Sequence, residues 1–93
     1  ILNNLVNWDV YSPEPTMRFP GIEAFQEKYR ARAHAEQVDP LGNYLQPFAY
    51  AQMQVVEQAL ARVGRIDQAA LAADMRANEF KTVVGDIRFS ALG

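Results

Sequence analysis

The sequence predicts a mostly helical α/β fold with the element order β-α-α-α-β. Three observations support this order. Apolar and polar residues alternate near the amino terminus, apolar residues recur every three or four positions through the middle, and β-branched residues gather near the carboxyl terminus. Alternation is typical of a half-buried strand, and a spacing of three or four residues is typical of an amphipathic helix.

The first predicted element is a strand over residues 5–10. Val6, Trp8 and Val10 fall on one face of this strand, and the polar residues between them fall on the other. Prolines at positions 13 and 15 end it, because each lacks a backbone donor and has a fixed φ.

The first predicted helix covers residues 22–33. Its apolar stripe comprises Ile22, Phe25, Tyr29 and Ala33. The single histidine, His34, follows in the last turn, where a positive charge suits the helix dipole. A solvent-exposed role for this histidine is therefore favoured over catalysis or metal binding.

The second predicted helix covers residues 47–63. Pro47 suits a first turn, and Gly64 supplies a carboxyl-terminal stop. The sequence pattern predicts a buried stripe of Ala49, Met53, Val56, Leu60 and Val63, widened by Val55 and Ala59.

The third predicted helix covers residues 68–77, with Asp67 as its N-cap and with Ile66 and Leu71 spaced as a hydrophobic staple. The final element, residues 82–89, is predicted as one strand bent at Gly85, with its regular part over residues 86–89. Two strands give three helices too little sheet to cover. We therefore expect the 93-residue chain to expose apolar surface or to self-associate.

Composition and motifs exclude several classes of function. Half of the residues are hydrophobic (49%), the net charge is -2, and the basic residues form no stripe for a nucleic acid. No apolar run approaches the roughly 20 residues that span a bilayer. The chain has no cysteine, its acidic residues are scattered, and it lacks GxGxxG, GxxxxGK[ST], GxSxG and HExxH motifs. We predict no catalytic residue, no metal site and no cofactor, so the chain is not expected to be an enzyme.

Aromatic residues near element ends are the candidate ligand-binding residues. Trp8 and Tyr11 end the first strand, and Tyr44 precedes the second helix. Open α/β sheets bind ligands at such positions, but the same rings can also pack a core, and both interpretations remain open for these three. For Phe48 and Tyr50, which fall within the helix, core packing is favoured.

Three segments resemble the type I periplasmic binding proteins, including the leucine/isoleucine/valine-binding proteins of ABC transporters. PGIEAFQEKY at 20–29 resembles the family's "PGN..F...Y" helix, and YAQMQVVEQAL at 50–60 resembles its "YAA.QvL..Al" helix. FKTVVGDIRF at 80–89 is similar to the "F.TV.G...F" signature, although SALG replaces the acidic start of the turn that follows it.

The resemblance implies a two-lobed α/β protein that closes over a small solute and delivers it to a membrane permease. Residues 1–93 would be a single carboxyl-terminal fragment with a hinge strand, three helices of the first lobe and a second crossover strand. The solute would be an amino acid or a related carboxylated or aromatic compound, gripped partly by Tyr44, Trp8 and Tyr11. The location would be periplasmic, although this chain shows no signal peptide.

Two other interpretations use the same elements. The fold could serve as the sensor domain of a signalling receptor, since fold does not fix function. Alternatively, the chain is an independent helical module that buries its apolar stripe in a protein partner. Both ends look cut, which we expect of a piece of a longer protein.

Overall fold

The computed structural model of the chain describes residues 15–41 and 45–90. The strand predicted over residues 5–10 lies outside these ranges, as do the candidate ligand-binding residues Trp8, Tyr11 and Tyr44. The described part begins with a 3-10 turn at Pro15–Met17 and continues with three helices and a β-hairpin. This confirms a mostly helical α/β fold.

All three predicted helices are confirmed. Helix α1 spans Ile22–Glu36, α2 spans Gln46–Val63 and α3 spans Gln68–Ala77. The first helix runs past the predicted end at residue 33 and stops at Gln37, which adopts the left-handed conformation with φ 55°. There the N–H of Val38 donates to the carbonyl of Ala33 at 3.0 Å and closes the helix end.

The residues predicted to end α2 and to begin α3 do so in the structure, but the predicted hydrophobic staple does not form. Gly64 adopts φ 73°, and its N–H donates to the carbonyl of Leu60 at 2.8 Å. Asp67 accepts a hydrogen bond from the N–H of Ala70 at 3.0 Å and so caps α3. The predicted hydrophobic staple is wrong, because the Ile66 side chain is 90% exposed.

The single bent strand predicted near the carboxyl terminus is in fact a hairpin of two strands. Strand β1 is Glu79–Thr82 and pairs antiparallel with β2, Gly85–Arg88. Gly85 is the reason for the difference, since its φ of 108° reverses the chain instead of bending it. The Thr82 hydroxyl donates to the carbonyl of Gly85 at 2.7 Å and closes the turn.

Helix α2 lies along the outer edge of β1 and satisfies its backbone groups. The side chain of Gln58 donates to the carbonyl of Lys81 at 2.8 Å and accepts from the N–H of Lys81 at 3.2 Å. One turn earlier, Gln54 accepts from the N–H of Val83 at 2.9 Å. Gln58 therefore satisfies backbone groups on the outer edge of β1, and Gln54 satisfies one in the turn that follows the strand.

The core forms on both sides of α2 where this helix meets the hairpin. One buried cluster joins the start of α1 to the hairpin turn and comprises Ile22, Ala51 and Val83. The other joins α2 and α3 to the strands and comprises Val55, Ala59 and Phe80, with Leu71 and Met75 packed against it.

The stripe predicted for α2 is confirmed at Val55 and Ala59 but is wrong at Met53, so the buried face is rotated relative to the predicted one. The buried residues are Pro47, Ala51, Val55 and Ala59. Met53, predicted as a core residue, is 65% exposed. Small residues at a spacing of four let the hairpin approach the helix closely, and Phe80 and Val83 of the hairpin fill the space between them.

Candidate functional site

The structure brings several aromatic residues together in a groove between α1 and α2, which we call the α1–α2 groove. Its volume is about 540 Å³. The residues that line it are Gly21, Ala24, Phe25, Lys28, Tyr29, Arg32, Tyr50, Gln54 and Val83. The predicted site residues Trp8, Tyr11 and Tyr44 lie outside the described ranges, so their relation to this groove remains a prediction.

Three rings form one wall of the α1–α2 groove. The ring centroids of Phe25 and Tyr29 are 6.1 Å apart, and those of Phe25 and Tyr50 are 5.0 Å apart. The core role favoured for Tyr50 and Phe48 is wrong, because their side chains are 48% and 36% exposed. Both residues lie off the buried stripe of α2, which leaves part of each ring open to solvent.

The hydroxyl of Tyr29 joins the two chain segments that meet at one end of this groove. It donates to the carbonyl of Asp39 at 2.9 Å and accepts from the side-chain amide of Gln46 at 3.2 Å. The carboxylate of Asp39 in turn accepts from the N–H of Leu41 at 3.0 Å. The sequence pattern predicted Tyr29 only as a member of the apolar stripe of α1. Its hydroxyl could have indicated the link between these two segments, because a half-buried phenol requires a hydrogen-bond partner.

The rim of the α1–α2 groove is positively charged. Among the described residues Lys28 forms no ion pair, whereas the Arg32 guanidinium lies 2.7 Å from the Glu36 carboxylate. Gln54, one turn after Tyr50 on α2, already accepts a hydrogen bond from the N–H of Val83 through its side-chain oxygen. The groove can therefore hold a flat apolar group against the rings and an anionic group near Lys28.

A second groove lies on the other side of α2, and we call it the α2–β2 groove. Its volume is about 320 Å³, and it is lined by Phe48, Ala51, Gln52, Val55, Val56, Met75, Ile87 and Phe89. Apart from Gln52 these side chains are apolar. A groove of this composition suits a packed protein surface better than a small charged solute.

The shifted pKa values belong to structural contacts outside both grooves. The N–H of Ala70, and to a smaller degree Arg65, lowers the pKa of Asp67. Hydrogen bonds to Asp86 and then Glu79 raise the pKa of Lys81. These groups stabilise a helix end and a strand pair, and neither Asp67 nor Lys81 lines one of the two grooves.

Two features that are absent from residues 15–41 and 45–90 bear on function. No group of three or more His, Asp or Glu side chains is placed to hold a metal ion. No helix in these ranges is long and apolar enough to span a membrane. The side chain of His34 is exposed at the end of α1, as its position in the sequence predicted.

Comparison with known proteins identifies the class of protein. Residues 2–92 match the sequence profile of the family described as periplasmic binding protein. Because the match covers almost the whole chain, the chain belongs to this family. No curated protein and no solved structure matches the chain.

Family membership supports a general solute-binding role, a small-molecule ligand and a periplasmic location, and members of the family are typically not enzymes. The segments that carry the resemblance have clear places in the fold. Residues 20–29 contain the start of α1 and supply most of the α1 side of the α1–α2 groove. Residues 50–60 lie within α2, and residues 80–89 contain all of the hairpin except its first residue, Glu79.

Proposed function

We propose that this protein is the solute-binding component of an ABC transporter. It binds an amino acid or a related small carboxylated or aromatic solute, closes around it by a hinge motion and delivers it to the permease. The observation that carries this proposal is the family match over residues 2–92. A binding protein of two lobes favours its closed state when the ligand contacts both of them.

The chemistry of the α1–α2 groove supports the proposed ligand class. The rings of Phe25 and Tyr50, whose centroids are 5.0 Å apart, both line this groove. Lys28 adds an ammonium group that has no ion-pair partner among the described residues. An aromatic or carboxylated solute has the complementary apolar and anionic groups. Tyr44 precedes Gln46 by two residues, and Gln46 bonds to Tyr29 of the groove.

Tyr44, Trp8 and Tyr11 are the residues proposed to form the aromatic wall of the ligand site. Tyr44→Ala should weaken solute binding by about 1–3 kcal/mol, the scale for removing a large side chain from a buried contact. The melting temperature of the ligand-free protein should change little. Titration calorimetry with a panel of amino acids and aromatic carboxylates, together with thermal melts, measures both quantities.

The matched control is Val55→Ala, because Val55 is buried between α2 and the hairpin. It should lower the melting temperature while leaving solute affinity unchanged. If Tyr44→Ala instead lowers the melting temperature as much as Val55→Ala and binds solute normally, Tyr44 is a packing residue.

Uptake of labelled solute by cells with and without the gene separates the transporter from the two other interpretations. Loss of uptake on deletion supports the transporter. Binding of a solute without any effect on uptake indicates a sensor domain. Failure to bind any solute of the panel, combined with capture of a protein partner, indicates an independent helical module.

A further inference from the structure

The α1–α2 groove lies between two helices whose backbones approach each other less closely than other elements do. Helix α2 packs more closely on α3 and on β1 than on α1. Long side chains therefore bridge the gap, and Phe25 of α1 meets Tyr50 of α2 with ring centroids 5.0 Å apart. The shape of a groove built in this way depends on what holds the two helices at a fixed separation.

Described residues attach α1 to α2 near both ends of this groove. At the start of α1, Ile22 belongs to the buried cluster that also contains Ala51 of α2. About two turns further along α1, the hydroxyl of Tyr29 accepts a hydrogen bond at 3.2 Å from the side-chain amide of Gln46, the first residue of α2. The two helices therefore run in roughly opposite directions along the groove.

These two attachments hold the helices in different ways. Apolar contacts such as those of Ile22 are non-directional, so they keep two surfaces together without fixing their exact position. A hydrogen bond is restricted in both distance and angle, so it fixes its donor relative to its acceptor. The Tyr29 hydroxyl makes two hydrogen bonds, because it also donates to the carbonyl of Asp39 at 2.9 Å. It therefore joins α1, the segment that follows α1 and the start of α2 at one atom.

We propose that Tyr29 is a positioning residue of the α1–α2 groove. Its hydroxyl fixes the start of α2 against α1, and this contact sets the shape of the groove in which the solute binds. The hydroxyl has one proton to donate, and the Asp39 carbonyl accepts it, so Tyr29 presents its ring to a solute and not its donor. The inference rests on the proposed function, because it gives Tyr29 a part in solute binding at this groove.

The surroundings of Tyr29 hold its hydroxyl in place before any solute binds. Its ring stacks on Phe25, one turn earlier, with centroids 6.1 Å apart and planes inclined by 26°. Asp39 is fixed as well, because its carboxylate accepts a hydrogen bond from the N–H of Leu41 at 3.0 Å. A site whose parts are ordered on folding loses less entropy when it binds a ligand, and this preorganisation raises affinity.

Hydrogen exchange of the ligand-free protein tests whether the hydroxyl holds the two helices. Tyr29→Phe keeps the ring and removes both hydrogen bonds of the hydroxyl. The N–H of Val38 closes the end of α1 and that of Ala49 lies in the first turn of α2, so both should exchange about three- to tenfold faster in this variant. Gln58→Ala is the matched control, since it removes two hydrogen bonds between α2 and Lys81 outside the groove. It should leave both exchange rates unchanged.

Titration calorimetry with leucine, phenylalanine and benzoate tests the effect on binding, at a temperature where every variant is folded. Tyr29→Phe lowers the fraction of molecules in which the groove is formed, so it should raise the dissociation constant of each solute that binds about three- to tenfold. Gln46→Ala should also raise it. The double variant should bind no more weakly than Tyr29→Phe alone, because both changes break the same contact. Gln58→Ala should leave every dissociation constant unchanged.

Three outcomes overturn the proposal. Unchanged exchange at Val38 and Ala49 in Tyr29→Phe would mean that the hydroxyl does not hold the two helices. Faster exchange together with normal solute affinity would leave Tyr29 a purely structural contact. A loss of affinity for only some of the solutes that bind would make the hydroxyl a direct ligand contact.

The same experiments separate this proposal from the proposed function. If the unmodified protein binds none of the three solutes, the proposed function fails for these classes of ligand. The exchange rates of Val38 and Ala49 do not depend on a solute, so they still decide whether Tyr29 fixes the shape of the groove.

Discussion

Truncation of Phe80 provides the sharpest test of the core. This residue is fully buried where β1 packs on α2, and its neighbours include Val55 and Ala59. Its ring meets Phe89 edge-on at 6.2 Å, and the Arg62 guanidinium lies 4.6 Å from its centroid. Burial of such a side chain stabilises by about 1.5–3 kcal/mol, and the aromatic pair adds about 0.5–1.5 kcal/mol.

Phe80→Ala should therefore lower the free energy of unfolding by about 3–5 kcal/mol once the cavity is included. Urea unfolding followed by far-UV circular dichroism measures this change. If Phe80→Ala does not fold, Phe80→Leu keeps part of the volume and should cost about 1–2 kcal/mol. The slope of the unfolding free energy with urea should remain that of the unmodified protein.

Met53→Ala is the matched control, because it also replaces a large apolar side chain of the same region by alanine. Met53 is 65% exposed, so its truncation should change the free energy of unfolding by no more than about 0.5 kcal/mol. If Met53→Ala destabilises the chain as much as Phe80→Ala, the conclusion that the hairpin packs on the small residues of α2 is wrong.

Two further predictions concern the ends of elements. A side chain at Gly85 would need a left-handed backbone (φ 108°) and would place its Cβ 3.2 Å from the Phe19 ring, so Gly85→Ala should cost about 1–3 kcal/mol in urea unfolding. Gly64→Ala has the same backbone problem but no neighbour within 4 Å, and an equal loss for both would contradict the contact with Phe19. The hydrogen bond from the Ala70 N–H lowers the pKa of Asp67 in the folded state. The stabilisation of the fold by ionised Asp67 is therefore complete above the unfolded-state pKa of about 4, and it is lost as the pH falls through the folded-state pKa. The gap in urea midpoint between the unmodified protein and Asp67→Ala should therefore be largest at neutral pH and narrow in acid, and a constant gap would refute the capping role.

Local signals predicted the helices well because they act within a few residues. Gly64 ends α2 and Asp67 starts α3 through contacts that involve only neighbouring residues. Gly85 was recognised as a break, but the alternation beyond it suits both a bent strand and the second arm of a hairpin. Only the pairing of Phe80 with Ile87 distinguishes them, and that contact is made across the turn.

The candidate site shows a similar division. The sequence favoured core packing for Tyr50, but this ring lines the α1–α2 groove. The favoured ligand-binding candidates, Trp8, Tyr11 and Tyr44, lie outside the described residues. The contribution of Lys28 and of the Tyr29 hydroxyl was not predicted, since both depend on how α1 lies against α2. The periodicity of each helix predicts its own buried face. It does not predict which residues of two separate helices will line the same groove.

The sequence by itself determined the class of fold, the number of helices described and their limits apart from the carboxyl-terminal end of α1. It also determined the resemblance that the family match bears out at the level of periplasmic binding proteins. The tertiary structure decided which face of α2 is buried. The sequence pattern predicted that Met53 is buried and that Val55 and Ala59 only widen its stripe, but the hairpin packs on the face formed by Ala51, Val55 and Ala59, each one turn from the next. The hairpin can approach α2 closely only where the helix has small residues, because the Phe80 side chain fills the space between them. The pattern of residues along one helix contains no information about the hairpin that packs against it.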